Sequence, residues 1–119
     1  MEKDNNECYI KAILLENCIF SQKTYKLLKK YDIPCKIIII KQKDKHLYIS
    51  NLIKTYPQLY LNRINIKGNV LLGSYNDFKE IINNLKISIN NKNIIKLKEK
   101  YNWSNVLIIY LMNLFNSKI

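Results

Sequence analysis

The chain has 119 residues and a formal charge of +11, from 20 lysine and arginine side chains against 9 aspartate and glutamate. That length makes one domain, above the size at which disulfides or metals become obligatory, and a composition 48% hydrophobic and 24% charged excludes global disorder. No aliphatic run approaches the roughly 20 residues that cross a bilayer, and Met1-Glu2-Lys3-Asp4 lacks the basic-then-apolar order of a signal peptide, so a soluble cytoplasmic domain is expected.

After a polar tail, Tyr9 to Leu15 is a short run rich in strand formers. Ser21 to Tyr31 carries Tyr25, Leu27, Leu28 and Tyr31 at helical spacing, with Lys29 and Lys30 in the last turn and Asp32-Ile33-Pro34 as the stop. Cys35 to Ile40, with four consecutive isoleucines, predicts a strand buried on both faces. A lysine-rich turn leads to a second helical pattern, Leu47, Ile49, Leu52, Ile53 and Tyr56, ended by Pro57. Gln58 to Asn62 predicts a third strand and Asn65 to Leu72 a fourth, with Gly68-Asn69 as an alternative hairpin tip. Gly73-Ser74 breaks the chain before a helix over Tyr75 to Leu85, capped by Ser74 or Asn76. Ile94 to Phe115 reads as one or two further helices, with Asn102-Trp103-Ser104 as the interruption. The expected result is an α/β domain over residues 1–90, with helices on both faces of a small mixed sheet, and a helical extension over residues 91–119. A right-handed crossover places the first two strands side by side and parallel.

The positive charge invites a nucleic-acid role. Arg63 is the only arginine, however, and lysine, asparagine and isoleucine crowd together as in Asn90-Asn91-Lys92-Asn93-Ile94-Ile95. All three use AT-rich codons, so a genome such as that of a large DNA virus or a parasite explains the excess, and a nucleic-acid partner is not expected. Readers of phosphate and guanine favour the planar fork of arginine.

Cys8, Cys18 and Cys35 are an odd number of thiols, which argues against a disulfide framework. No pair has zinc-ligand spacing and His46 is the only histidine, so no metal is expected. Cys8 and Cys35 read as small buried hydrophobes at strand starts. Cys18 differs, because it stands between the first strand and the first helix. Backbone N–H groups and the positive end of the helix dipole there favour the nucleophilic thiolate, with Lys23 one turn further on adding charge.

Three separated segments then resemble the glutaredoxin family over roughly Tyr9 to Leu85. Cys18-Ile19-Phe20-Ser21 is similar to the Cys-x-x-Ser of its monothiol members, Thr55-Tyr56-Pro57-Gln58-Leu59-Tyr60-Leu61-Asn62 to its Thr-Val-Pro-Gln-Val-Phe-Ile-Asn, and Leu72-Gly73-Ser74-Tyr75-Asn76-Asp77-Phe78 to its Ile-Gly-Gly-Tyr-Asp-Asp-Phe. The resemblance implies a thioredoxin/glutaredoxin-like βαβαββα three-layer sandwich and a glutathione-dependent thiol–disulfide oxidoreductase with Cys18 as nucleophile. It implies support of the thiolate by Ser21 and Lys23. It implies glutathione held by Lys54, by the backbone of Tyr56 before a cis Pro57, and by Asn76 and Asp77 at a helix N-terminus. Read alone, Pro57 simply ends a helix, and Asn76 and Asp77 simply cap one. Ser21 in place of a second cysteine implies a monothiol mechanism, with glutathionylated or disulfide-bonded proteins as substrates. Cys8 and Cys35 do not substitute as resolving thiols, since a strand of this length, at about 3.3 Å per residue, keeps them some 20 Å from Cys18.

Leu15 stands where the family usually has lysine, Glu16 adds a negative charge beside it, and Ile19 replaces the glycine of the cluster-bridging Cys-Gly-Phe-Ser class. These departures set two alternatives beside the enzyme: a binding or assembly module on a degenerate glutaredoxin fold and, less favoured because of Ile19, an iron–sulfur cluster carrier. The stretch Val106 to Phe115 is apolar nearly all round. It is expected to pack as extra core or to form a homodimer or partner interface.

Overall fold

The structure, a computed structural model, describes residues 8–63 and 68–116. The N-terminal tail and the start of the expected fourth strand lie outside them. Four strands, β1 (Cys8–Leu15), β2 (Cys35–Ile40), β3 (Gln58–Arg63) and β4 (Asn69–Gly73), form a mixed sheet in the order β2-β1-β3-β4. Among the described residues, four α-helices accompany them: α1 (Ile19–Lys30), α2 (Tyr75–Ile82), α3 (Asn91–Tyr101) and α4 (Asn105–Asn116).

β1 runs parallel to β2 and antiparallel to β3, and β3 is antiparallel to β4. Ile10, Ala12 and Leu14 alternate along β1 and are buried with Leu59 and Leu61 of β3, Leu28 of α1, and Phe78, Ile81 and Ile82 of α2. The extension completes the same core through Leu97, Ile108, Leu111, Leu114 and Phe115, and the Phe115 ring meets Phe78 edge-on at 6.1 Å. Only one side of α4 is covered, for Val106 and Ile109 face outward.

Two sequence expectations fail. β2 is an edge strand and is not buried on both faces; Ile39 is 64% exposed. Four isoleucines signalled β propensity, which does not report position within a sheet. The second α-helix is also absent. Gln42–Tyr48 forms a 3₁₀ segment and irregular chain continues to Pro57. Ser50 accepts through Oγ from the amides of Leu52 and Ile53 (3.2 and 3.3 Å), and its own amide donates to the Ile53 carbonyl, a local turn that competes with helix. Of the apolar residues that suggested a stripe, Ile53 is buried whereas Leu52 is 83% exposed. The α-helices therefore share the one core on a single sheet face, and the 3₁₀ segment, with no buried residue, is tied to β3 by Gln58 Nε2 donating to the Tyr48 carbonyl at 2.8 Å.

Other boundaries have simple physical causes. α1 starts two residues earlier than expected, with Cys18 as its N-cap. α2 widens into a π-helical turn, Asn83–Ile87, in place of continuing as α-helix to Leu85; the Leu85 carbonyl accepts from Asn116 Nδ2, and Lys86 Nζ donates to the Phe115 carbonyl. α3 and α4 are separated where Asn102 takes the left-handed conformation (φ 56°), and the Trp103 amide closes back on the Lys98 carbonyl. Phe115, 2% exposed, should act as a core residue of the whole domain. Phe115→Ala is expected to lower stability by about 3–5 kcal/mol, measured by denaturant unfolding, with the loss shared by the entire two-state transition.

Candidate functional site

The strand registers collect four chain junctions at one end of the sheet. Ile13 lies opposite Gln58, Leu15 opposite Ile40, and Leu59 opposite Gly73. The turn after β1, the start of the 3₁₀ segment, Pro57 and the N-terminus of α2 therefore share that end. Cys8 and Cys35 lie towards the other, since Cys35 pairs with Ile10. Both are half-buried, and burial pushes both thiols above the ordinary value.

A cleft of about 270 Å³ opens at the shared end, lined by Phe20, Thr55, Tyr56, Ser74, Tyr75, Asn76 and Asp77. Residues from all three sequence segments meet in it. The first contributes Phe20, whose ring lies 5.8 Å from that of Tyr75. The second contributes Thr55 and Tyr56, and the Tyr56–Pro57 bond is cis. Tyr56 also donates its hydroxyl to the Lys45 carbonyl at 2.6 Å. The third contributes the first turn of α2, whose early N–H groups lack carbonyl partners within the helix.

Cys18 is half-buried at the N-cap of α1, with extended backbone and its carbonyl accepting from the Gln22 amide at 3.0 Å. Ser21 is buried, and its Oγ accepts from the Leu15 amide at 2.9 Å. This bond closes the turn that carries Cys18, so Ser21 fixes the start of α1 against the end of β1. Lys23 directs its ammonium to the rings of Phe20 and Tyr75, 5.4 and 5.9 Å from their centroids. Lys79 approaches Tyr75 at 5.9 Å, so the aromatic wall carries two cations.

Lys54 is exposed beside Thr55 and, like Cys18 and Pro57, lies outside the residues that line the cleft. Leu15 faces a separate apolar groove of about 470 Å³ with Leu14, Tyr25 and Ile39. The Glu16 carboxylate accepts from the Gln42 amide at 2.8 Å, while Gln42 Nε2 donates to the Glu16 carbonyl at 2.7 Å. The negative charge that sequence placed near Cys18 thus anchors the 3₁₀ segment. Asn76 is exposed on the cleft wall, and Ser74 is the N-cap of α2. Asp77 Oδ2 accepts from the Ser74 amide at 3.0 Å, and Oδ1 accepts from the Tyr101 hydroxyl at 2.8 Å.

Sequence reasoning missed the Phe20–Tyr75 wall, although both residues stood inside the quoted motifs. It had no signal for Tyr101, which lies 24 positions beyond Asp77 in the extension. Among the described residues, no group of three His, Cys, Asp or Glu side chains is placed to hold a metal ion. No helix among them is long and apolar enough to cross a membrane. Comparison with protein-family models, curated proteins and solved structures returns no match.

Gly73 is the tightest backbone point of the site. Its φ is +121°, and a Cβ there would fall 2.6 Å from Asp77 Cβ. Gly73→Ala should displace Asp77 from the Ser74 amide and cost about 1–3 kcal/mol through backbone strain. Thermal unfolding measures the loss, and faster hydrogen exchange at the Ser74 amide reports the broken cap.

Proposed function

We propose that this protein is a glutathione-dependent thiol–disulfide oxidoreductase of the glutaredoxin type, working through Cys18 by a monothiol mechanism. The observation that carries the reading is the single cleft in which Phe20, next to Cys18-Ile19, meets Thr55-Tyr56 and the first turn of α2. Ligands of α/β sheets commonly bind beyond strand ends of this kind. An extended tripeptide would align with the Tyr56 backbone in the manner of an added strand. The N–H groups at Asn76 and Asp77 would receive the γ-glutamyl carboxylate, and the Asp77 carboxylate its ammonium. Lys54, exposed beside Thr55, would reach the glycine carboxylate from the rim.

In the reaction, the Cys18 thiolate attacks the glutathione sulfur of a glutathione–protein mixed disulfide. That S–S bond breaks, the protein sulfur leaves and takes a proton, and Cys18 becomes disulfide-bonded to glutathione. The thiolate of a second glutathione attacks this disulfide, releasing glutathione disulfide and restoring Cys18. The net exchange converts one glutathionylated protein and one glutathione into a protein thiol and glutathione disulfide. Ser21 has no thiol to offer and is held by Leu15, which is why the second glutathione is required. Such chemistry belongs in a reducing compartment, and we assign the protein to the cytoplasm.

A binding or assembly module is the second reading. It is favoured by Ile19 and Leu52, large apolar side chains exposed on loops and helix ends, and by Leu15 in the place of a lysine. One experiment separates the two. Incubation with glutathione disulfide, followed by intact-mass and peptide analysis, should show one glutathione adduct, on Cys18. Cys18→Ser should abolish both the adduct and reduction of a glutathionylated peptide, whereas Cys8→Ser and Cys35→Ser should keep both. A wild-type protein with neither adduct nor turnover supports the module.

The raised thiols add a pH prediction. A thiol whose pKa is elevated is mostly protonated at neutral pH and gains thiolate only as pH rises above its ordinary range. Iodoacetamide labelling of Cys8 and Cys35 should therefore be slow at pH 7 and accelerate beyond the point where a free thiol has levelled off, as followed by peptide mass spectrometry.

A further inference from the structure

The C-terminal extension reaches Asp77, a residue of the cleft, through Tyr101. Tyr101, the last residue of α3, donates its hydroxyl to Asp77 Oδ1 at 2.8 Å and lies 3.2 Å from Glu80 Oε1. Its ring is stacked on Trp103 at 4.6 Å, which holds the hydroxyl in place. Lys100 donates to the same Glu80 oxygen at 2.7 Å. Asp77 and Glu80 stand three residues apart on α2, where like charges repel, and α3 brings one donor to each.

The consequence for Asp77 is geometric. Its Oδ2 accepts from the Ser74 amide, so Tyr101 completes a grip on both oxygens. An ionised carboxylate offers about four acceptor sites, and two remain. Asp77 lines the cleft. Burial, together with the neighbouring Asp77 and Glu80, pushes the Tyr101 phenol far above its ordinary value, which keeps its proton on and leaves it a donor.

We propose that Tyr101 is a positioning residue of the cleft: by holding Asp77 Oδ1 it fixes the carboxylate in the orientation whose remaining acceptor sites meet the ammonium of a γ-glutamyl group. The extension thereby sets affinity for glutathione without contacting it. This rests on the glutathione reading above, and the two are separable by experiment.

The test uses full-length wild type, Tyr101→Phe, Asp77→Asn and the double variant, with a glutathionylated peptide as substrate. Tyr101→Phe keeps the ring and its stack on Trp103 while removing the donor. It should raise KM for the peptide about tenfold and change kcat by less than about twofold, the signature of lost binding rather than lost chemistry. In the Asp77→Asn background the same substitution should add nothing. Ile33→Ala, destabilised but at the opposite end of the sheet from the cleft, should keep the wild-type KM; a similar rise there would mark the effect as structural and overturn the proposal. A wild type that turns over, paired with an unchanged KM in Tyr101→Phe or an undiminished effect on Asp77→Asn, overturns the role of Tyr101 and leaves the glutathione reading standing. A wild type with no turnover and no Cys18 adduct overturns both.

Discussion

Ile13 pairs with Gln58 and Leu59 with Gly73, and those two antiparallel registers decide where every candidate group sits. Strand side chains alternate, so a slip of one residue would turn Leu59 and Leu61 out of the core. Burial therefore enforces the register, and the register brings Pro57 and Gly73 to the level of the β1 C-terminus. The Ser21–Leu15 hydrogen bond then closes the short turn that holds Cys18 at that level. The cleft is a by-product of packing: Ile10, Ala12 and Leu14 have to be covered, and two of the helices in that core, α1 and α2, begin where the cleft lies.

The extension and the charge excess belong to the same account. With 20 basic and 9 acidic side chains, most lysines have no carboxylate to meet. Several instead approach aromatic faces: Lys29 at Tyr25, Lys30 and Lys86 at Tyr31, and Lys79 at Tyr75, all 5.3 to 5.9 Å from the ring centroid. Arg63 lies 4.9 Å from the Tyr110 ring of α4. Each such contact is modest, about 0.5–1 kcal/mol where exposed. Their effect is to let the lysine stems cover apolar surface while the ammonium groups stay wet. Among the described carboxylates, Glu16 holds Gln42 and Glu80 holds Lys100.

Much of the fold was legible because its signals are local. β1, β2, β3 and the two helices of the extension follow from apolar runs, and the break at Asn102 follows from a residue that tolerates the left-handed conformation. Two features were illegible for physical reasons. The apolar residues at 47, 49, 52, 53 and 56 fit a helical template, yet the Ser50 hydroxyl captures two amides that such a helix would need. The exposure of Ile39 depends on which strand ends the sheet, a property of topology. The site divides the same way. Tyr56, Asn76 and Asp77 were readable from motifs and do meet in one cleft. Cys18, Pro57 and Lys54 were also named and stand outside its lining, while the place of Tyr101 depends on how α3 returns across α2.

Asp77 is where these requirements converge, and the proposed role asks a helix cap to serve recognition as well. The Ser74 amide claims one oxygen, because the N-cap of α2 would otherwise lack that partner. Gly73 gives the carboxylate room that any side chain would close. A carboxylate held by the cap alone still rotates about its terminal torsion, and ordering it for a ligand carries an entropic cost at each binding event. The Tyr101 hydroxyl removes that freedom before a ligand arrives. The cost is met during folding, by the burial of α3 and α4 on the core, instead of during binding. On this view the helical extension adds stability to a small sheet and, through a single hydroxyl, gives a helix cap the fixed geometry of a recognition group.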